Sequence, residues 1–110
     1  MAVVAVQRFE VWLINLDPTQ GREINKTRPC LVLSPDEMNR HLRTVTIAAL
    51  TSTRRRYPSR VDCAFQDKEG QVALDHIRSV DKTRLVHRLG VLSKSTAQEV
   101  CDRLQEIFQY

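Results

Sequence analysis

Arginine dominates the side chains that could act on a ligand. It supplies thirteen of the seventeen basic residues, against thirteen acidic ones, for a formal charge of +4 at neutral pH. A guanidinium makes planar, two-pronged contacts with phosphate, whereas lysine acts more as a point charge. The balance therefore favours a polyanionic partner such as nucleic acid. Two polar segments concentrate the candidates: residues 19–28 (TQGREINKTR) and residues 51–56 (TSTRRR). The run Arg54-Arg55-Arg56 is either a solvated loop or a clamp for nucleic-acid phosphates. Tyr57, beside it, is a candidate to stack on a base. Taken singly, Arg28 before Pro29 reads as a surface charge at a strand entry. Thr51 reads as a strand-end hydroxyl that caps backbone. Phe9 and Trp12 lie inside a strand and read as core.

Metal chemistry is not expected, and no cofactor is implied. Cys30, Cys63 and Cys101 are odd in number and far apart, with no C-x-x-C pair. That fits neither a disulfide framework nor a zinc site. His41 and His87 lack partners at metal-ligand spacing. Each cysteine sits in an apolar or periodic segment, so buried free thiols in a reducing cytoplasm are the expectation. The opening residues 1–6 (MAVVAV) are too short and lack the basic start of a secretory signal. No apolar run approaches the roughly 20 residues that span a bilayer.

The 110 residues read as one domain, 1–110, globular at 42% hydrophobic and 27% charged. Phe9–Leu16 is apolar on both faces and reads as a central strand. Cys30–Leu33 and Val45–Leu50 read as further strands, with a short helical or irregular piece at Glu37–Leu42 between them. Arg60–Phe65 alternates and reads as half-exposed. Asp67–Gly70 is expected to turn. Gln71–Leu74 and Ile77–Val80 read as two short strands broken at Asp75-His76, and Arg84–Leu89 as the last. Ala97, Val100, Cys101, Leu104, Ile107 and Phe108 then recur at helical spacing. Ser95 with Gln98 suggests a capping box at the start of that helix. The pattern predicts a mainly β chain of five to seven strands with a C-terminal helix. A small β-barrel closed by the helix is its simplest form.

Several segments together resemble the MazF/PemK family of toxin ribonucleases from bacterial toxin–antitoxin pairs. Asn15-Leu-Asp-Pro-Thr-Gln-Gly-Arg-Glu23 is similar to the family's D-P-T-x-G-x-E loop. Lys26-Thr-Arg-Pro29 with Leu31-Val-Leu-Ser-Pro35 is similar to its K-x-R-P and V-x-S-P segments. Leu50-Thr-Ser52 resembles the end of its central strand, and Leu74 to Leu85 (LDHIRSVDKTRL) resembles L-D-Q-I-R-x-V-D-K-x-R-L. The matches run in order from about Arg8 to the C-terminus. The resemblance implies an SH3-like barrel of the kind MazF and CcdB share, a homodimer, and cleavage of single-stranded RNA, including mRNA. It also implies an antitoxin whose acidic, flexible segment blocks the RNA groove. It makes Arg28 and Thr51 the catalytic pair. Glu23, Lys26, Ser52, Arg54, Arg55, Arg56, Tyr57, His76 and Arg78 become the candidate RNA contacts. Position 76, where the family has Gln, is His here.

Metal-free RNA cleavage sets three tasks: accepting the 2′-OH proton, protonating the leaving 5′-oxygen, and stabilising charge on a five-coordinate phosphorus. A guanidinium is a fixed fork of donors suited to the third. It is almost never neutral, so Arg28 is read as charge stabiliser and proton donor rather than base. Thr51 can donate its hydroxyl to a phosphate oxygen, with Ser52 assisting. The base stays open between Glu23, a carboxylate, and His76, whose ordinary pKa of about 6.5 suits proton transfer near neutrality. The sequence also admits two other readings: a non-enzymatic poison of DNA gyrase of the CcdB type, and an inactive RNA-binding module.

Overall fold

Strand formation begins with alternation. In Thr44–Thr51 (β3), Val45 and Ile47 point to one side and Ala48 and Leu50 to the other, and both sides are apolar-packed. Such a strand belongs in the middle of a sheet. The computed structural model describes residues 5–16 and 27–110. Most of segment 19–28, with Glu23 and Lys26, lies outside the described residues.

The remaining strands are β1 (Glu10–Asn15), β2 (Thr27–Val32), β4 (Arg60–Phe65), β5 (Lys68–Asp81) and β6 (Leu85–Val91). A six-residue helix α1 (Asp36–His41) joins β2 to β3, and a 3₁₀ turn at Lys82–Arg84 joins β5 to β6. The C-terminal helix α2 runs Lys94–Ile107. The sheet is antiparallel throughout, in the order β4-β5-β3-β2-β1-β6.

Two apolar layers lie on opposite faces of the sheet. One holds Val11, Leu31, Ala48, Val61, Val72 and Leu74, and α2 covers it with Val100 and Leu104. The other holds Trp12, Ile14, Cys30, Val32, Val45, Ile47 and Val80, with Val6 laid over it. At the edge of this second layer Glu10 is a buried carboxylate. It accepts from the Trp12 indole and the Gln7 N–H, both at 2.9 Å, and from Arg88 Nε at 2.8 Å. Burial alone would raise its pKa, but these hydrogen bonds outweigh it and the net shift is downward. The result ties β1 to the edge strand β6.

The sheet curls until its two edges meet. Gln66 Nε2 on the β4–β5 turn donates to the Leu89 carbonyl of β6 at 3.2 Å. A Cβ added at Gly90 would stand 3.1 Å from the Phe65 ring. The expected barrel is thus a curled six-stranded half-barrel whose edges join through side chains. α2 caps it as predicted.

Four local expectations change. The turn predicted at Asp67–Gly70 is a tighter one at Gln66-Asp67, both at positive φ (53° and 63°), the two-residue geometry that matches strand twist. Lys68, Glu69 and Gly70 are strand. The two strands expected on either side of Asp75-His76 are one continuous β5. Pairs Ala48–Ile77 and Leu50–Val72 show how: β5 uses five residues where β3 uses two, and the polar pair sits in that irregularity. Thr27 and Arg28, and likewise Thr51, belong to strands rather than loops. The α2 cap is Ser93, which accepts the Thr96 N–H, and not Ser95. Cys30 and Cys63 are buried free thiols as expected, and Cys101 is half-buried.

Val100 is fully buried where α2 meets the layer of Val11, Leu31 and Val72. Val100→Ala is expected to cost about 2 kcal/mol of unfolding free energy, lowering the urea midpoint at constant m. An unchanged midpoint would mean that α2 does not seal this layer.

Candidate active site

The register of β2 against β3 brings the two focal residues together. Cys30 pairs with Ala49, Leu31 with Ala48 and Val32 with Ile47. The paired stretch ends there; Arg28 lies two residues before Cys30 on β2 and Thr51 two residues after Ala49 on β3, so strand alternation puts each on the face of that last pair. Both line an open cleft of about 410 Å³, together with Ser52, Thr53, Gln66, Lys68 and Glu69. Leu50, Cys63, Phe65 and Leu89 supply its apolar lining. Thr51 Oγ1 accepts the Thr53 N–H at 3.1 Å, which orients the hydroxyl and leaves its hydrogen free to donate. The Arg28 side chain is exposed and its guanidinium has no hydrogen-bond or ion-pair partner among the described residues; only its main chain is engaged, by pairing with Ile14 and by the Cys30 thiol at its carbonyl.

β5 approaches Thr51 closely from the other side. A Cβ at Gly70 would lie 2.4 Å from the Thr51 carbonyl oxygen, so only glycine permits this spacing. The sequence marked Gly70 as a turn residue. Its work is instead to let β5 stand against the cleft wall.

Charge around the cleft is arranged by arginines. Burial pushes the Cys30 thiol up to about 12, opposed by the nearby charges of Arg28 and Arg78. Arg28, two residues before Cys30 on β2, and Arg78, the cross-strand partner of Ile47, lie on the face of the sheet that carries the second layer. Burial also raises the Cys63 thiol, and the Asp62 carboxylate raises it further. Neither thiol is a nucleophile at neutral pH. Arg54 pairs with Glu69 at 3.1 Å, an exposed contact that a phosphate can exchange with.

Beyond the basic loop lies a tighter network. Arg60 donates to both Asp75 oxygens, Nε to Oδ1 at 2.7 Å and Nη2 to Oδ2 at 3.2 Å, and Ser59 adds a hydroxyl at 3.0 Å. The Arg60 hydrogen bond holds the Asp75 carboxyl at about 2 against an ordinary 3.8, with partial burial working the other way. The Arg60 guanidinium also lies 5.3 Å over the Tyr57 ring.

The structure thus gathers Arg28, Thr51, Ser52 and the start of the arginine loop at one cleft. His76 is exposed and faces Asp75, with Nε2 3.3 Å from Oδ2, and does not line the cleft. Tyr57 is exposed, with Arg60 over its ring. The side chains of Arg56 and Arg78 are exposed and make no hydrogen bond or ion pair among the described residues. Lys68 and Glu69 are cleft residues that sequence reading missed, because their strand was taken for a turn. No group of His, Cys, Asp and Glu among the described residues could hold a metal ion.

A curled sheet that sets a solvent-facing arginine against an oriented threonine hydroxyl, beside a basic loop, defines a small protein able to receive a phosphodiester. Its lineage is specific. Residues 7–108 match the family described as PemK-like, MazF-like toxin of type II toxin–antitoxin system, and the chain belongs to that family. It is 33% identical over 105 residues to an endoribonuclease MazF of Staphylococcus epidermidis, covering 90% of this chain and 88% of that one. It is also similar to a mycobacterial endoribonuclease solved with its cognate antitoxin, at 28% identity, TM-score 0.80 and 93% coverage of each chain. A MazE–MazF structure from Deinococcus radiodurans aligns at 27% identity and TM-score 0.81, covering 96% of each.

Two outcomes test this geometry. Gly70→Ala is expected to push β5 from Thr51, destabilise the fold by about 1–3 kcal/mol and depress RNA cleavage. Wild-type stability and cleavage would show that the close approach is not needed. For Asp75, the folded pKa lies below the unfolded one. Its stabilisation is present above about pH 4 and is lost as pH falls through about 2. Asp75→Asn is expected to remove a pH-dependent stability of roughly 1–2 kcal/mol over that window, read by denaturant titration. Equal acid sensitivity in the variant would contradict the pairing.

Proposed function

We propose that this endoribonuclease toxin cuts single-stranded RNA at the cleft between Arg28 and Thr51, without a metal ion. The observation that carries the reading is that one cleft is lined both by a guanidinium with no partner among the described residues and by a hydroxyl whose oxygen is held by the Thr53 N–H. The substrate's 2′-oxygen attacks the adjacent phosphorus. The bond from phosphorus to the 5′-oxygen breaks, leaving a 2′,3′-cyclic phosphate and a 5′-OH. Arg28 stabilises the charge that builds on the non-bridging oxygens and can supply the proton taken up by the leaving 5′-oxygen. Thr51 donates to one of those oxygens and fixes the phosphate in line. Fixed donors of this kind act without reorganising as charge develops.

The 2′-OH proton passes to a base. Glu23 and His76 are the candidates named from sequence. Glu69 joins them because its carboxylate lines the cleft. The basic loop Arg54–Arg56 with Arg78 and Lys26 supplies phosphate contacts along the strand. The gyrase-poison reading is not carried further, since the relatives are endoribonucleases. By analogy with relatives solved in complex, the partner is a cognate antitoxin with an acidic, flexible segment that competes for the same basic surface. The working form is a homodimer in the cytoplasm, where the substrate mRNA is found.

The test is cleavage of a long RNA in EDTA with analysis of fragment ends. Cyclic phosphate and 5′-OH ends are expected. Thr51→Ala is expected to lower kcat by about 10²-fold or more, and Arg28→Ala by a larger factor. Cleavage that requires a divalent ion, or full activity in either variant, would overturn this mechanism.

A further inference from the structure

A single buried residue on β5 holds both Thr51, through its main chain, and the basic loop that follows, through its side chain. Gln71 is 6% exposed and is the cross-strand partner of Thr51. Its carboxamide reaches past that pairing to the loop. Oε1 accepts the Arg55 N–H at 3.0 Å, and Nε2 donates to the Arg55 carbonyl at 3.1 Å. The same Nε2 donates to Asp62 Oδ1 on β4 at 3.0 Å. One amide therefore acts on Arg55 as a neighbouring strand would, satisfying its backbone donor and acceptor together. Asp62 fixes the orientation, because a reversed carboxamide would turn its oxygen toward a carboxylate.

The far end of the loop is held independently. Arg103 on α2 donates to the Pro58 carbonyl at 2.6 Å and to the Arg60 carbonyl at 3.1 Å. The chain is thus tied at Thr51, at Arg55 and at Pro58. Between the last two ties Arg56 projects without a partner among the described residues. A loop that only bridged two strands would not need a buried amide spent on its main chain at mid-length.

We infer that Gln71 is the positioning residue of this cleft, the buried amide that sets where the basic loop stands relative to Thr51 during RNA cleavage. The inference rests on the endoribonuclease reading above. Gln71 touches neither substrate nor reacting atoms. It acts through Thr51 and Arg55, and Asp62 acts through Gln71.

The test compares Gln71→Met, which has similar volume and loses both loop hydrogen bonds, with Asp62→Ala, an exposed site that loses only the brace. RNA-cleavage kcat and KM are measured alongside amide exchange at Arg55 and at Val72, a strand residue next to Gln71. Gln71→Met is expected to lower kcat about tenfold by misplacing the loop. Arg55 should lose protection while Val72 keeps it. Asp62→Ala should move kcat in the same direction by less. Wild-type kcat in both variants, with Arg55 deprotected in Gln71→Met, would overturn the assignment. So would a loss of kcat in Gln71→Met that comes with deprotection of Val72 while Asp62→Ala stays at wild type, which marks a merely structural role. A wild-type protein that does not cut RNA would instead sink the functional reading beneath it.

Discussion

Burial of β3 on both faces is the constraint from which the rest of the structure follows. Val45 and Ile47 fill one layer, Ala48 and Leu50 the other, so a slip of one residue would exchange the two sets. The register is therefore fixed on both neighbours. On the β2 side the paired stretch ends at Cys30–Ala49, and Arg28 and Thr51, each two residues beyond it, line one cleft. On the β5 side it brings Thr51 against Gln71 and Gly70. The irregularity in β5 absorbs the mismatch between the two halves of the sheet. It is held by the Arg60–Asp75 pair rather than left to flex.

That arrangement explains why the cleft can be open and still ordered. Its floor and back wall are strand, and the hydroxyl of Thr51 is oriented by its own loop. Arg28 lies on the same sheet face as the buried Cys30, with Arg78 acting on that thiol from β5. Two like charges beside an apolar layer favour an anionic ligand.

Much of this was legible in the sequence, and for physical reasons. Alternating and two-sided apolar runs fix strands, so β1, β3, β4 and the face of α2 were readable from Trp12, Ile47, Cys63 and Val100. The predicted turn at Asp67–Gly70 failed because Gly70 serves a close approach of two backbones, which only a distant residue, Thr51, defines. The break at Asp75-His76 failed similarly. Two adjacent polar residues look like a turn unless Arg60, fifteen positions away, is known to pair with one of them. The helix start was misread because Ser93 and Ser95 are equally good caps in isolation; in the fold it is Ser93 that accepts the Thr96 N–H. The pairing of Arg28 with Thr51 had to come from family resemblance. Sequence spacing does not encode register between strands joined through a helix. Gln71 had no signal at all, since its role lies in a contact with Arg55 sixteen residues away.

The scissile phosphate is expected to sit between Arg28 and Thr51. The most direct measurement is a structure of the protein with an RNA oligomer carrying a 2′-deoxy sugar at the cleaved position, which removes the nucleophile and leaves binding intact. The phosphate after that sugar is expected within hydrogen-bond distance of the Arg28 guanidinium and Thr51 Oγ1. A complex in which that phosphate lies elsewhere on the protein, with neither side chain touching it, would contradict this account.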